Sequence, residues 1–238
     1  MVAEGACVVL GATSERVHQR AAELGPAAVG VIADLTVDGA SDALVQAALD
    51  RWGRVDVLVN NAGMTSVASG WDAGDDVADL SLADWETALS RNLTTAFLMC
   101  RAVVPIMRAA QYGRIVSIGS TTGTVSAMPG QATYTAAKAG LLGLSRALAL
   151  EVVSYGVTVN VVAPCRDRLP AGVRGSGRRG GPDRTQCHTG RDRGLCHVSG
   201  ARIGVVHHRI GTRGRWRARP SGDVAAAVSL VGLAAENL

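Results

Sequence analysis

The sequence contains one lysine among 24 basic residues, and no apolar run reaches the ~18 residues that a membrane span needs. Its five cysteines form an odd set without the spacing of a disulfide framework, which indicates reduced thiols. Glu4 and Gly5 interrupt any secretory signal pattern at the start of the chain. These absences argue against a membrane protein and a disulfide-rich secreted domain, and they predict a cytoplasmic protein.

The 238 residues suffice for one α/β domain with a full core, and the hydrophobic content of 47% agrees with this. Charge is divided unevenly along the chain. Residues 165–219 carry 14 of the 24 basic and 3 of the 20 acidic residues, a net charge of +11, whereas the remainder carries 10 and 17, a net charge of −7. We therefore expect a boundary after residue 164, an irregular Arg/Gly-rich tail over 165–219, and a short helix over 220–238.

Sequence patterns typical of strands and of helices alternate through the first 164 residues. Apolar runs predict buried strands at about 6–10, 29–33, 55–59, 113–118 and 157–162. Helical patterns lie between them at about 16–24, 41–52, 82–110 and 131–154. The alternation indicates an α/β domain with parallel strands.

Residues Ser120–Lys138 carry the chemistry that is easiest to interpret. Tyr134 and Lys138 are four apart in a helical segment, so they share one face. An ammonium one turn away favours the phenolate, so we expect the pKa of Tyr134 to fall below its ordinary value of ~10 and suit acid–base work. Ser120, at the end of a strand, can hold a substrate oxygen beside the phenol. The competing interpretation is an exposed helical pair.

Further motifs occur in a fixed order around this stretch. Asn60–Gly63 follows one apolar run, Asn92 lies in a long helical tract, Gly113–Ser120 forms the serine-bearing strand, and Gly156–Pro164 ends the pattern. The ordered set resembles the short-chain dehydrogenase/reductase family, and within it the 3-oxoacyl-[acyl-carrier-protein] reductases of fatty acid biosynthesis. The resemblance covers roughly residues 3–164.

The resemblance implies a doubly wound parallel sheet of the Rossmann type and an NADP(H)-dependent oxidoreductase. In such a protein Tyr134 gives or takes the proton and Lys138 lowers the tyrosine pKa and holds the ribose. Ser120 orients the substrate oxygen, and Asn92 bends its helix and orders a water of the proton relay. The implied substrate is a carbonyl or alcohol, with a 3-oxoacyl thioester on acyl-carrier protein as the best candidate. The implied assembly is a homo-oligomer, either a dimer or a tetramer.

The same resemblance implies a set of cofactor contacts. They are Thr13, Ser14, Arg16, Asp34, Leu35, Asn61, Ala62, Gly63, Tyr134 and Lys138. The strand end before Thr13 carries neutral Gly11 where an acid would hold the ribose hydroxyls of NAD. Because hydroxyls, a helix N-terminus and a guanidinium all favour anions, Thr13, Ser14 and Arg16 favour the 2′-phosphate of NADP over NAD. Thr13 or Ser14 could also serve as a helix N-cap.

The family's Thr-Gly-x-x-x-Gly-x-Gly phosphate loop has no counterpart in the sequence and would lie before Met1. The strand preceding that loop is central in the 3-2-1-4-5-6 order, so we expect its neighbours to have unpaired edges. This predicts poor folding and weak cofactor binding. An alternative function is therefore that of an inactive family member, acting as an interaction partner or as a nonspecific basic polyanion binder without specificity for any nucleic acid.

The tail after Pro164 has three interpretations. It could be a basic nucleic-acid-binding arm, a metal site built on Cys187-His188, Cys196-His197 and His207-His208, or a frameshifted segment. The metal ligands lack finger or ribbon spacing, and the acids between 72 and 79 lack EF-hand spacing, so we predict no metal. Dropping one base from the codons permitted for residues 206–218 allows Tyr-Ile-Thr-Gly-Ser-Glu-Leu-Val-Val-Asp-Gly-Gly, which resembles the family's closing strand. We therefore favour the frameshift.

Overall fold

The computed structural model describes residues 1–63, 76–165, 195–198, 201–209 and 226–230, the last three ranges as backbone strands. Within these residues the strands are β1 (Cys7–Ala12), β2 (Ala28–Ile32), β3 (Val57–Asn60), β4 (Gly113–Ile118), β5 (Val157–Cys165), β6 (Leu195–Val198), β7 (Ala201–Arg209) and β8 (Ala226–Leu230). The α-helices are α1 (Arg16–Leu24), α2 (Ala40–Trp52), α3 (Leu82–Leu89), α4 (Thr95–Ala109), the short α5 (Thr121–Thr124) and α6 (Ala132–Val152). A π-helical turn at Ser90–Thr94 joins α3 to α4, and 3-10 turns lie at Val2–Glu4 and Val153–Tyr155.

One eight-stranded sheet contains all of these strands, in the order β2-β1-β8-β3-β4-β5-β7-β6. Every neighbouring pair is parallel except β6 and β7, which are antiparallel. Helices alternate with the first five strands, as parallel connections require. The doubly wound α/β class expected from the sequence is confirmed.

Helices cover both faces of the sheet, and β1 shows this most clearly. Val9 is fully buried in a large cluster with apolar residues of α2, α4 and α6, whereas Val8 and Leu10 pack with α1 residues in a smaller cluster. Successive strand residues point to opposite faces, so the apolar run of β1 supplies two cores at once. Burial of each large side chain in these cores is worth about 1.5–3 kcal/mol.

The long helical tract predicted at 82–110 is divided by the π-helical turn. Ser81 begins α3 as its N-cap, because its Oγ accepts a hydrogen bond from the backbone N–H of Asp84 at 3.1 Å. The π turn then inserts one extra residue into the helical register, and Asn92 lies within it. The bend that the resemblance implied for Asn92 therefore has a structural basis.

The C-terminal part differs from two expectations. Residues 226–230 form a strand where a helix over 220–238 was expected, and β6 and β7 lie within the range expected to be irregular. The neighbours β1 and β3 also have no unpaired edges at the sheet centre, because β8 pairs with both. The physical reason is that two facing parallel edges satisfy the backbone of a short apolar segment better than an isolated helix does.

Several sequence predictions concern residues outside the described ranges. Asp72, Asp75, Cys187 and His188 belong to this group. Within the described part of the chain, no cluster of three or more His, Cys, Asp or Glu residues is arranged to hold a metal ion. The helices of that same part are too short or too polar to cross a membrane. Both cysteines with described side chains, Cys7 and Cys100, are free thiols.

Candidate active site

The predicted site residues follow strands whose carboxyl ends share one edge of the sheet. Thr13 comes after β1, Asp34 after β2, Asn61 after β3 and Ser120 after β4, and these strands run in one direction through the sheet. In open α/β sheets the crevice outside this edge is where ligands bind. The topology thus gathers residues that are up to 107 positions apart, from Thr13 to Ser120.

Ser120 is held by the turn that follows β4. Its Oγ accepts a hydrogen bond from the backbone N–H of Thr122 at 3.2 Å, and its carbonyl accepts one from Thr124 Oγ1 at 2.6 Å. Because the oxygen accepts from the backbone, the hydroxyl proton remains available for another partner. That partner is Tyr134, whose side chain is hydrogen-bonded to Ser120. Ser120 and Tyr134 therefore meet, as predicted, although they are fourteen positions apart in the sequence.

Lys138 is buried behind the tyrosine, with 5% of its surface exposed. Its Nζ donates a hydrogen bond to the backbone carbonyl of Ile118 at 2.9 Å and lies 5.5 Å from the centre of the Tyr134 ring. The competing interpretation of an exposed helical pair is wrong for this lysine. The ammonium lies between the end of β4 and the aromatic ring, where it can act on both the phenol and a bound hydroxyl.

The direction expected for the tyrosine pKa is wrong in this structure. Burial raises the pKa of Tyr134, and the hydrogen bond with Ser120 opposes this only in part. Burial also lowers the pKa of Lys138 from 10.5 to about 8. A phenolate loses more hydration in this pocket than its surroundings restore, so the phenol keeps its proton at neutral pH. The lysine remains largely charged at pH 7.

Asn92 and Gly63 meet beside the lysine. Asn92 is 2% exposed, and its Nδ2 donates to the carbonyl of Ala88 at 3.0 Å. This bond directs the amide oxygen toward Gly63, where an added Cβ would lie 2.7 Å from Asn92 Oδ1 and 3.3 Å from Lys138 Nζ. A glycine is therefore required at this position for the turn after β3 to approach the amide and the ammonium.

A second glycine allows the serine turn to approach α6. Gly123 has φ +92°, and an added Cβ would lie 2.6 Å from the carbonyl oxygen of Thr135 and 2.9 Å from the backbone nitrogen of Ala139. With Thr122 at φ −65°, ψ 120°, it forms a type II turn that needs glycine at its third position. The turn thereby fixes the distance between Ser120 and the helix that carries the tyrosine.

A family model described as short chain dehydrogenase matches residues 1–166. The chain belongs to the short-chain dehydrogenase family. The end of this match agrees with the sequence resemblance, which stops near residue 164. The residues that meet at the sheet edge all lie inside the matched range.

Several relatives within the short-chain dehydrogenase family are named for related activities. A 3-oxoacyl-[acyl-carrier-protein] reductase of Synechocystis is 36% identical over 177 residues, covering 68% of this chain and 68% of its own. The 3-oxoacyl-[acyl-carrier-protein] reductase FabG of Escherichia coli is 39% identical over 165 residues, covering 69% and 64%. The (2S)-[(R)-hydroxy(phenyl)methyl]succinyl-CoA dehydrogenase subunit BbsD of Thauera aromatica is also 39% identical over 165 residues, covering 68% and 63%.

The fold has a solved counterpart. A short-chain dehydrogenase/reductase from Burkholderia xenovorans matches with a TM-score of 0.62 and 35% identity, covering 68% of this chain and 63% of that one. Across these comparisons the chain spans 63 to 68% of the length of the proteins it matches.

The short-chain dehydrogenase family uses nicotinamide cofactors, and the residues at the sheet edge fit the adenosine half of one. The N-cap residue of α1 is Glu15, so neither Thr13 nor Ser14 serves as the N-cap. The side chain of Glu15 makes no capping hydrogen bond. Thr13 and Arg16 are exposed and Ser14 is half-buried. The helix N-terminus thus presents hydroxyls and a guanidinium toward solvent, an arrangement suited to a phosphate.

The remaining predicted contacts of this short-chain dehydrogenase fit unequally. Asp34 is exposed, and hydrogen bonds from the hydroxyl and the backbone N–H of Thr36 lower its pKa, with a smaller effect of the Arg91 charge. Leu35 instead belongs to the buried core, so its side chain is not exposed at the sheet edge. Asn61, Ala62 and Gly63 are half-buried after β3.

Sequence reasoning missed the residues that act through their backbone. The carbonyl of Ile118 holds the lysine, and the carbonyl of Ala88 holds the asparagine amide. Neither residue type carries a chemical signal, so only the three-dimensional arrangement could identify them. Gly123 did carry a signal, because a glycine three residues after a strand-end serine indicates a tight turn.

Proposed function

We propose that this chain carries the site of an NADP(H)-dependent reductase that acts on a carbonyl group, best a 3-oxoacyl thioester carried by acyl-carrier protein. The observation that carries the proposal is the hydrogen-bonded pair of Ser120 and Tyr134 with the buried, cationic Lys138 behind it. The names of the relatives from Synechocystis and Escherichia coli support the substrate class.

The bound nicotinamide would supply a hydride to the carbonyl carbon. The carbonyl double bond then becomes a single bond, and the oxygen takes the phenolic proton of Tyr134. Because burial raises the pKa of Tyr134, the proton is present at neutral pH, which suits reduction. When substrate binds, the hydroxyl proton of Ser120 turns from the phenol to the substrate oxygen and holds that oxygen beside Tyr134. The charge of Lys138 stabilises the phenolate formed after the transfer, and Asn92 supports the return of a proton.

Cofactor choice would depend on opposing charges at the start of α1. The Arg16 guanidinium favours a 2′-phosphate, whereas the Glu15 carboxylate beside it, itself 3.9 Å from His18 Nε2, disfavours one. Arg16→Ala is expected to raise the KM for NADPH roughly tenfold, and Glu15→Gln is expected to lower it severalfold, since each changes one charge near the phosphate. Neither change should alter the KM for NADH by more than about twofold. Parallel shifts with both cofactors would contradict the assignment.

The reaction is tested by the loss of reduced-nicotinamide absorbance with acetoacetyl thioesters. Tyr134→Phe is expected to lower turnover roughly 10²–10⁴-fold, because it removes the proton donor and keeps the ring. Its unfolding transition should remain close to that of the unmodified chain. Full turnover by this variant would refute the role of the phenol.

The carrier of the thioester is a separate question that the same assay answers. The Thauera aromatica relative is named for a coenzyme A thioester, so acetoacetyl-CoA should be compared with the acyl-carrier-protein form. A preference for the protein carrier supports the proposed substrate. Absence of turnover with both, together with salt-sensitive binding to arbitrary DNA, would favour the alternative of a nonspecific polyanion binder.

The assembly proposed with this function is a homo-oligomer in the cytoplasm. Phe97 on α4 and Leu150 on α6 are large apolar side chains left exposed, at 45% and 48%. Light scattering at working concentration should give the mass of a dimer or tetramer. A monomer would contradict this part of the proposal.

A further inference from the structure

The central strand of the sheet, β8, is the last of the described strands along the chain. Its residues 226–230 pair with residues 7–11 of β1, and residues 227–230 pair with residues 57–60 of β3. If β8 withdrew, β1 and β3 would face each other across about 9.6 Å, two inter-strand spacings, which is too far for direct pairing. A five-residue strand therefore joins two parts of the sheet.

The chain between β7 and β8 is long compared with the distance that separates these two strands. Sixteen residues, 210–225, connect it to β7, which lies four positions away across the sheet. Those four spacings amount to about 19 Å, and the return along the nine residues of β7 to about 30 Å, so the direct span is about 36 Å. Sixteen extended residues reach about 55 Å. The connector is thus long enough for β8 to leave its place without pulling β7 from the sheet.

The strands on either side of β8 determine which kind of segment can occupy its position in the sheet. On the β1 side Val8, Val9 and Leu10 are buried, and on the β3 side Leu58 is fully buried. Helix α2 packs over β8 from one face. An occupant must therefore be a short, uncharged strand that runs parallel to both neighbours and completes their hydrogen-bond ladders.

We propose that the gap between β1 and β3 is an exchangeable strand-acceptor site, and that its partner in trans is β8 of a second copy of this chain. The segment meets the chemical requirement, since residues 226–230 read Ala-Ala-Val-Ser-Leu. Reciprocal exchange gives a strand-swapped dimer that uses the same pairings as the monomer. This inference is independent of the reductase activity.

The acceptor site is tested with a synthetic peptide of residues 223–232 and the full chain. Val228 pairs with Val9 on one side and Leu58 on the other, so Val228→Pro removes a ladder hydrogen bond whichever way its N–H points. By fluorescence anisotropy, the full-length Val228→Pro chain should bind the labelled peptide at least tenfold more tightly than the unmodified chain, whose own strand competes. The peptide carrying the same proline is the matched control and should bind neither. Equal binding to both chains, or binding of the proline peptide, would overturn the proposal.

Hydrogen exchange on the unmodified chain keeps the test open if the proline variant does not fold. The backbone amides of β8 should exchange as one group with those of β1 and β3 that face it. They should exchange at least tenfold faster than the amides between β4 and β5, because β8 can open without global unfolding. Equal protection across all five strands would contradict an exchangeable strand.

The second copy is identified by refolding the full chain at increasing concentration. Gel filtration with light scattering should show a dimer whose fraction grows with chain concentration and falls in excess peptide 223–232. A dimer that the peptide leaves unchanged would rule out exchange of β8 as the means of association.

Discussion

The buried ammonium of Lys138 makes a prediction that needs no substrate. Lys138 is 5% exposed, and burial lowers its pKa from 10.5 in an exposed side chain to about 8. The charged form is therefore less favourable in the folded chain than in the unfolded one. Lys138→Met keeps the length of the side chain and removes the charge. We expect it to change stability in a pH-dependent way while abolishing turnover.

The sign follows from proton binding. Between pH 8 and 10.5 the unfolded chain binds more protons at this position than the folded chain, so stability rises with pH. Below pH 8 the full penalty is present, about 3 kcal/mol at pH 7. At pH 9 it has fallen to about 2 kcal/mol, so the advantage of Lys138→Met over the unmodified chain should shrink by about 1 kcal/mol between pH 7 and pH 9.

A second effect sets the absolute level but not the slope. Lys138 Nζ donates to the carbonyl of Ile118 at 2.9 Å, and methionine leaves this carbonyl without that donor. The loss costs about 1–3 kcal/mol. The net gain of the variant at pH 7 is therefore between about 0 and 2 kcal/mol. Because the hydrogen-bond cost is nearly constant across this pH range, the pH dependence carries the test.

Urea unfolding at pH 7, 8 and 9 measures this difference directly. Leu142→Met is the matched control, since it places the same side chain one turn along the buried face of α6 without changing charge. The free-energy difference between this control and the unmodified chain should not change with pH. A Lys138→Met difference that is also flat from pH 7 to pH 9 would refute the reasoning, because the lysine would then titrate normally in the folded chain.

The two glycines of the site give further predictions. Gly123→Ala should destabilise the fold by about 1–3 kcal/mol, because it forces an L residue to φ +92° and places its Cβ 2.6 Å from the Thr135 carbonyl oxygen. Gly143→Ala, on the same helix as Thr135 with nothing within 4 Å, should instead stabilise by about 0.5–1 kcal/mol, and thermal unfolding compares the two. Gly63→Ala should lower kcat roughly 10²-fold, because the added Cβ would lie 2.7 Å from Asn92 Oδ1. Gly143→Ala should leave kcat unchanged. Unchanged kcat in Gly63→Ala would remove Asn92 from the relay.

Local signals predicted the first five strands and their helices well. Gly113–Ile118 is β4 with the predicted bounds, since it is an apolar run set between a helix end and a serine turn. The π turn could be expected only in outline from Asn92, because an amide in a helix interior indicates a disturbance without giving its form. The spacing of residues along a helix determines which side chains share a face, and Lys138 Nζ does lie 5.5 Å from the centre of the Tyr134 ring.

Two errors have the same physical origin, which is burial that arises from distant contacts. The spacing of Tyr134 and Lys138 gave their common face, but the direction of each pKa shift depends on how much water the surrounding elements exclude. In the same way, residues 226–230 have a composition compatible with a helix. Their strand conformation is imposed by β1 and β3, which lie more than 160 residues earlier in the chain.

The two halves of the site depend on the sheet in different ways. Asn61 and Gly63 follow β3, which pairs with β8, whereas Ser120 and the helix of Tyr134 depend on β4 and β5. If β8 left its position in the sheet, the turn after β3 would lose support. The serine–tyrosine pair would still be supported by β4 and β5. The proton-transfer residues would then keep their geometry while the turn expected to contact the cofactor loses its support. Cofactor affinity in this chain should therefore depend on the stability of β8, which pairs with β1 and β3 rather than with the strands that support Ser120 and Tyr134.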